Sequence, residues 1–322
     1  MLAPPERRSA AAREAPRSIP RLHLRSGGCK LVSRLPNDST ELPRQMAEPT
    51  TEQGQEGNRR DLKANPRAET GFSRIIGVDF ATKDAKKGLV LATRGDGHLR
   101  LDRTWKRRRP FLDILTKWVA EAREATLIAV DAPLGWPVPL GDALESHEAG
   151  QAIATSADGM FRRRTDDFVQ HATGKRPLEV GANLIARTAH AALDLLGKLG
   201  EALGTPVPLA WTPTGVEGPA AIEVYPAATL RAYGIRDAGY KKVDQLGERR
   251  EIVKALRRHS MRIPDSGASE LHRNADTLDA AVCVLAAEDF IAGRAARPED
   301  QDLAHREGWI WVRRTTASIP PP

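Results

Sequence analysis

The chain is short of cysteine, with Cys29 and Cys283 as the 2 in 322 residues. They stand far apart and outside any CxxC or Cys/His spacing, which excludes a disulfide framework and a thiolate zinc site. A reducing cytosol suits that usage, so the expected location is cytoplasmic. No run approaches the roughly 18 apolar residues of a membrane helix, and the start lacks the apolar core of a secretory signal. Also missing are GxGxxG, GxxxxGK[ST] and GxSxG, so dinucleotide, P-loop and nucleophile-elbow readings have no support. No internal repeat or heptad is present.

What the chain does have is positive charge, 49 Lys and Arg against 42 Asp and Glu, a net of +7. Such a balance favours a polyanionic partner, nucleic acid before others, through phosphate contacts and counterion release. Part of the excess sits in the opening segment, where Arg7, Arg8, Arg13, Arg17, Arg21, Arg25, Lys30 and Arg34 face only Glu6 and Glu14. Residues 1–71 are rich in Pro, Arg, Ser, Gln and Glu without hydrophobic periodicity, and are read as a disordered basic tail. Pro4, Pro5, Pro16 and Pro20 break the amphipathic helix that a transit peptide needs. An over-long translated start, with Met46 as initiator, is the other reading.

Residues 72–315 are read as one domain, and 316–322 as a closing tail. RIIGVDFA, GLVLATR and HLRLDRTW are three strands with short connections, hence an antiparallel meander. A helix opens at Pro110, and ATLIAVDAP is a continuous apolar strand, central and parallel because both faces are buried. Residues at about 135–215 form a helical insertion, with a long helix from Asn183 to Leu203. AAIEVYP is a further strand, two helices follow, and SELHRN is a loop. A last helix begins at Asn274, and GWIWVRR closes the domain as an edge strand. The order describes an α/β protein with a mixed sheet, antiparallel strands first and parallel strands after, flanked by helices.

Acids recur at one kind of place in this order. Asp79 ends the first strand, Asp131 ends the central strand, Glu223 lies in the later strand, and Asp276 and Asp279 open the last helix. Strand-end carboxylates in open α/β sheets face the ligand crevice. At about 100° per residue, Asp276 and Asp279 lie roughly 60° apart on one helix side. Two carboxylates about 4 Å apart repel by about 4 kcal/mol at an effective dielectric near 20, so a converging set must protonate or take up a cation. All-oxygen donors suit Mg²⁺ or Mn²⁺. Each acid also has a plainer reading: Asp276 complements the helix dipole behind an Asn274 cap, and Asp79 and Asp131 are common turn formers.

Two basic runs are candidates for phosphate contact. Lys106, Arg107, Arg108 and Arg109 stand beside Trp105, a pairing that can grip a backbone and stack a base; a solvated loop is the alternative. Arg162, Arg163 and Arg164 are the second run, where Thr165 as a helix cap, with Asp166 and Asp167 after it, is the competing reading. His272, four residues before Asp276, is placed to assist proton transfer or is a plain exposed histidine.

Taken together, GVDFA, VDAPLG, EVYP and DTLDAA resemble, in order and spacing, the RNase H-like (retroviral integrase) superfamily, and more closely the domain-of-unknown-function 429 family. The resemblance covers residues 72–315 and implies an RNase H-like fold with a divalent-metal-dependent nuclease site. It implies that Asp79, Asp131, Asp276 and Asp279 bind Mg²⁺ or Mn²⁺, with Glu223 joining the catalytic set. Arg163, Thr165 and Asp166 fall on that family's R-x-T-D element. Phe80 after the first aspartate, and Gly88-Leu89 in the second strand, depart from its pattern. A non-catalytic binding module on this fold and an ATP-dependent phosphotransferase of related fold are the alternatives.

Overall fold

The computed structural model describes residues 71–95, 97–122, 125–181 and 183–315. The tail reading of residues 1–70, with Cys29 and Met46, and that of 316–322, lie outside these residues. Strand β1 (Phe72–Asp79) pairs antiparallel with β2 (Gly88–Gly95), which pairs antiparallel with β3 (His98–Thr104). On its other side β1 takes β4 (Ala125–Asp131) in parallel, and β4 takes β5 (Ala220–Glu223) in parallel. A two-residue strand, β6 (Met261–Arg262), runs parallel to β3 at the far edge. The six-stranded sheet therefore has the order β5-β4-β1-β2-β3-β6, with the antiparallel meander and the parallel central strand that the sequence leads one to expect.

Side chains alternate across a strand, so neighbouring apolar residues serve opposite faces. Ile76, Val78, Leu91 and Ile128 turn to one side, under α1 (Phe111–Ala120) and α5 (Asn183–Leu203), where Leu115, Trp118, Leu195 and Leu199 meet them. Ile75, Val90, Leu127 and Ala129 turn to the other, toward α7 (Leu246–Arg258), α8 (Asp265–Arg273) and α9 (Ala275–Ile291). The insertion between β4 and β5 carries α5 together with the short helices α2 (Val138–Leu144), α3 (Ala157–Phe161) and α4 (Arg164–Thr173). Helices α6 (Pro226–Ala232) and α10 (Gln301–Glu307) complete the set.

Two local expectations are corrected. GWIWVRR forms no strand among the described residues; it makes isolated bridges, Ile310 with Glu223 and Arg313 with Ala295, and the sheet edges are β5 and β6. SELHRN is helical, because α8 runs to Arg273 before Asn274 begins the next cap.

Helix α9 is buried on every side from Thr277 to Ala287, as a helix with apolar residues on all its faces must be. It lies unusually close to the sheet. A Cβ placed on Gly77 of β1 would stand 1.9 Å from the Ala280 carbonyl oxygen, and one on Gly88 of β2 would stand 1.9 Å from that of Asp276. Only glycine leaves room for helix backbone to rest on strand backbone. Any larger residue pushes the N-terminal half of α9 outward. Gly88→Ala and Gly77→Ala are each expected to lower stability by about 1–3 kcal/mol or more, the usual cost of overpacking, in urea unfolding; unchanged midpoints would show that the helix does not depend on this contact.

Candidate functional site

The parallel register of β1 and β4 sets Asp79 opposite Asp131. Each is the last residue of its strand, so both carboxylates stand at the carboxyl edge of the sheet. Glu223 ends β5 beside Val130 of β4. The close seating of α9 supplies the remaining acids from above. Asn274 caps that helix, its Oδ1 accepting from the backbone N–H groups of Asp276 and Thr277 at 3.0 and 3.2 Å. The plain role foreseen for Asn274 is thus real, and it orients the acids of the first two turns.

These acids sense one another. Burial raises Asp79 well above the ordinary carboxylate range, and Asp279, Asp131 and Asp276 push it further, against the opposing charge of Lys241. Asp131 is pushed up to about 7, first by burial and then by Asp279 and Glu223, again with Lys241 working in the other direction. Among the described residues, neither the Asp79 nor the Asp131 side chain has a hydrogen bond or ion pair. Both open into a pocket of about 380 Å³, whose walls include Phe80, Pro133, Leu178, Leu184 and Tyr225. Leu178 and Leu184 are each 67% exposed at its mouth. A larger groove of about 710 Å³ between α4 and α10 holds charges of both signs but none of the converging acids. Chemistry singles out the smaller one.

The other three acids carry cations of the chain. Asp279, fully buried, accepts from the Tyr240 hydroxyl through Oδ1 at 2.6 Å, and Lys241 Nζ lies 2.6 Å from its Oδ2. Burial still raises Asp279, with Lys241 and Tyr240 pulling it back. The Lys241 side chain is 62% exposed, yet its ammonium is set down among the carboxylates: burial works against its charge, and Asp279, Asp79 and Asp131 more than offset it, raising its pKa. Glu223 is gripped by Arg163, with Nη1 to Oε2 at 2.9 Å and Nη2 to Oε1 at 2.7 Å, and also accepts from the Leu134 amide at 2.9 Å. Asp276, nearer the surface, pairs with Arg107 Nη2 at 2.9 Å.

The R-x-T-D element turns inward. Arg163 is 1% exposed and also binds both oxygens of Asp166 and the Glu307 carbonyl. Thr165 Oγ1 accepts from the Ile310 amide at 2.8 Å. Together they tie the start of α4 to Glu223 and to the chain after α10. Of the neighbouring arginines, Arg162 pairs with Asp158 and Glu179, while Arg164 is exposed. In the other basic run, Lys106 pairs with Glu270, Arg107 also donates to the Lys87 carbonyl, and Arg108 and Arg109 are exposed. Trp105 is not a stacking platform: it is buried, edge-on to Phe111, with Nε1 donating to the Arg109 carbonyl. His272 lies within α8, and burial, then Arg250, lowers its pKa.

Sequence reasoning missed Tyr240 and Lys241. They lie in the connection between α6 and α7, and nothing in GYKKVD separates Lys241 from Lys242. The seats at Gly77 and Gly88 had a signal, since glycine inside a strand marks a close backbone approach.

Fold and site define a mixed α/β protein with a carboxylate-floored pocket at the carboxyl edge of its parallel strands. A family profile described as "Protein of unknown function (DUF429)" matches residues 77–303, well over half of the 322. The chain belongs to that family. No curated protein gives a match.

A hard divalent cation is the group that the family resemblance implies for these acids. Among the described residues no three acid, imidazole or thiol groups are already arranged around one ion position. The donors fit in kind, because Asp79 and Asp131 offer carboxylate oxygens without partners, at adjacent strand ends, where mutual repulsion favours a cation. Asp279, the acid that acts most strongly on Asp79, already carries Lys241 on its Oδ2.

Two outcomes follow from these charges. Asp131 binds its proton more tightly in the folded chain, at about 7, than in the unfolded one, at about 3.9. The native state therefore holds the extra proton, and this contribution to stability falls as pH rises from about 4 to about 7 and is flat above. In thermal melts with chelator, Asp131→Asn should gain on the wild type steadily from about pH 5 to about pH 7; parallel curves would contradict the raised pKa. Arg163→Met leaves Glu223 and Asp166 buried without their partner, and should cost about 3–5 kcal/mol in urea unfolding; a loss under about 1 kcal/mol would show that the pair is not structural.

Proposed function

We propose that the chain is a divalent-cation-dependent hydrolase of nucleic-acid phosphodiester bonds. The observation that carries this reading is the pair Asp79 and Asp131, unpartnered, raised in pKa and facing one pocket from neighbouring parallel strands. Asp79 and Asp131 would hold Mg²⁺ or Mn²⁺, with Asp279 as a third donor and Asp276 behind it. Such an ion, when bound, supplies positive charge against a phosphoryl oxygen and lowers the pKa of an attacking water.

The chain's own residues do the rest. Phe80, Pro133, Leu178, Leu184 and Tyr225 exclude water around the acids and offer apolar surface to a base or sugar. Burial and the Asp131 charge push the Tyr225 phenol up to about 12, so its hydroxyl remains a hydrogen-bond donor at neutral pH. Glu223, locked by Arg163, fixes the floor between β5 and the Leu134 amide. The volume of about 380 Å³, near the lower end of the roughly 300–1,000 Å³ usual for small ligands, admits one nucleotide unit at a time, which favours a strand end or an unpaired strand. Net positive charge and the exposed Arg108, Arg109 and Arg164 support a polyanionic substrate. The agreement of strand order and acid placement with the RNase H-like resemblance supports the same reading.

One observation favours a second reading. Three of the five acids already face a cation of the chain, Glu223 with Arg163, Asp276 with Arg107 and Asp279 with Lys241, as in a binding module that has no need of a metal. The two readings separate in one experiment. Fluorescent single-stranded, duplex and flap substrates of DNA and RNA should be cut only with Mg²⁺ or Mn²⁺. Asp79→Asn and Asp131→Asn should each lower the rate by more than about a hundredfold, since even the outer partners of a metal are worth 10–100-fold. Cleavage that survives both substitutions removes the hydrolase mechanism; binding without cleavage favours the module.

A further inference from the structure

Among the described residues that line the pocket, Lys241 is the cation held by a single ion pair, to Asp279, with its ammonium 6.0 Å from the centre of the Tyr240 ring as its other contact. Arg163, the other basic residue lining the pocket, has its planar fork spread over Glu223, Asp166 and the Glu307 carbonyl. Lys241 is a point charge on a flexible stem, 62% exposed, with its ammonium against a carboxylate that is 1% exposed. The head can therefore leave without unpacking any part of the core.

The backbone beneath it cannot move in the same way. Tyr240 is buried, and its hydroxyl is fixed on Asp279 Oδ1. Arg249 of α7, also buried, donates to the carbonyls of Tyr240 at 2.6 Å, Lys242 at 2.7 Å and Val243 at 3.2 Å, and to that of His272. The turn is clamped, so movement is left to the lysine side chain alone. Tyr240 holds one oxygen of Asp279, and Lys241 holds the other, the oxygen a cation would need.

Resting on the cation-dependent reading above, we propose that Lys241 is a tethered competitor for the cation: its ammonium neutralises Asp279 until a divalent ion takes over that carboxylate, and it is then free at the pocket wall to meet an anionic group of the substrate. Exchange of one cation for another keeps the buried Asp279 compensated throughout, which removes the cost of an uncovered charge. It also frees the lysine charge for the substrate only after the ion has arrived.

The test needs no catalysis. Mn²⁺ is titrated into the full-length chain without substrate, and free Mn²⁺ is read by electron paramagnetic resonance. Lys241→Met should bind Mn²⁺ about tenfold more tightly than the wild type, the scale of one charge contact at a partly wet site, and the gain should vanish when Asp279→Asn is added. In the wild type, acetylation of Lys241 by an amine-reactive ester, followed by mass spectrometry, should speed up several-fold on Mn²⁺ addition, while exposed Lys242 is unaffected. If the wild type binds Mn²⁺ and Lys241→Met binds it equally or less well, or if the gain survives loss of Asp279, competition for that carboxylate is overturned while the cation site stands. If Mn²⁺ leaves Lys241 acetylation unchanged, release of the ammonium is overturned. If neither protein binds Mn²⁺, the cation-dependent reading falls with it.

Discussion

Helix backbone resting on strand backbone is the constraint on which the site depends. Gly77 and Gly88 give α9 a seat with no side chain beneath the Ala280 and Asp276 carbonyls. The seat lies on β1 and β2, whose far side is covered by α1 and α5, so the strands are fixed from both faces. Because the helix is held this close, Asp279 has no route to water and must find its compensation among groups at the sheet edge. Packing thereby becomes electrostatics: the geometry that buries α9 also forces its second-turn acid against the strand-end acids.

Compensation then takes two forms at one sheet edge. Arginine answers Glu223 with a bidentate fork, completed by Asp166 and backed by a carbonyl, and such a fork is rigid once buried. Asp79 and Asp131 receive no such answer, and burial and the neighbouring acids raise the pKa of each. The same fold edge therefore contains a finished ion pair and an unfinished one. Finished pairs belong to the scaffold; unfinished ones are where a ligand can contribute binding energy.

Much of this was legible in the sequence because it rests on local rules. Apolar runs ending in aspartate gave β1 and β4, short polar turns gave the meander, and the Asn274 cap with the all-apolar stretch behind it gave α9. Asp79, Asp131 and Asp279 could be named because strand ends and helix starts are read directly from such patterns. What stayed hidden depends on partners distant in sequence. GWIWVRR has the alternation of a strand, but Ile310 finds only the end of β5, so pairing stops at a single bridge. Arg163 reads as one of three arginines open to phosphate contact, and only the fold shows that Glu223, 60 residues on, takes it inside. Trp105 has the composition of a nucleic-acid contact, yet Phe111 and the Arg109 carbonyl account for its ring and its N–H.

Lys241 shows most clearly why a site can be half visible in a sequence. A lysine beside a second lysine, in a connection between helices, carries no periodic signature; its meaning comes from the Arg249 clamp and the buried Tyr240, which fix where its stem begins. The choice of lysine there, with arginine at Glu223, is a physical distinction. A fork that satisfies two oxygens at once resists exchange, whereas a single ammonium on four methylenes exchanges readily. Arg163 makes its acid part of the wall, and Lys241 leaves its acid available. The difference between a locked carboxylate and an exchangeable one at this sheet edge lies less in the acids than in the basic residue that faces each of them.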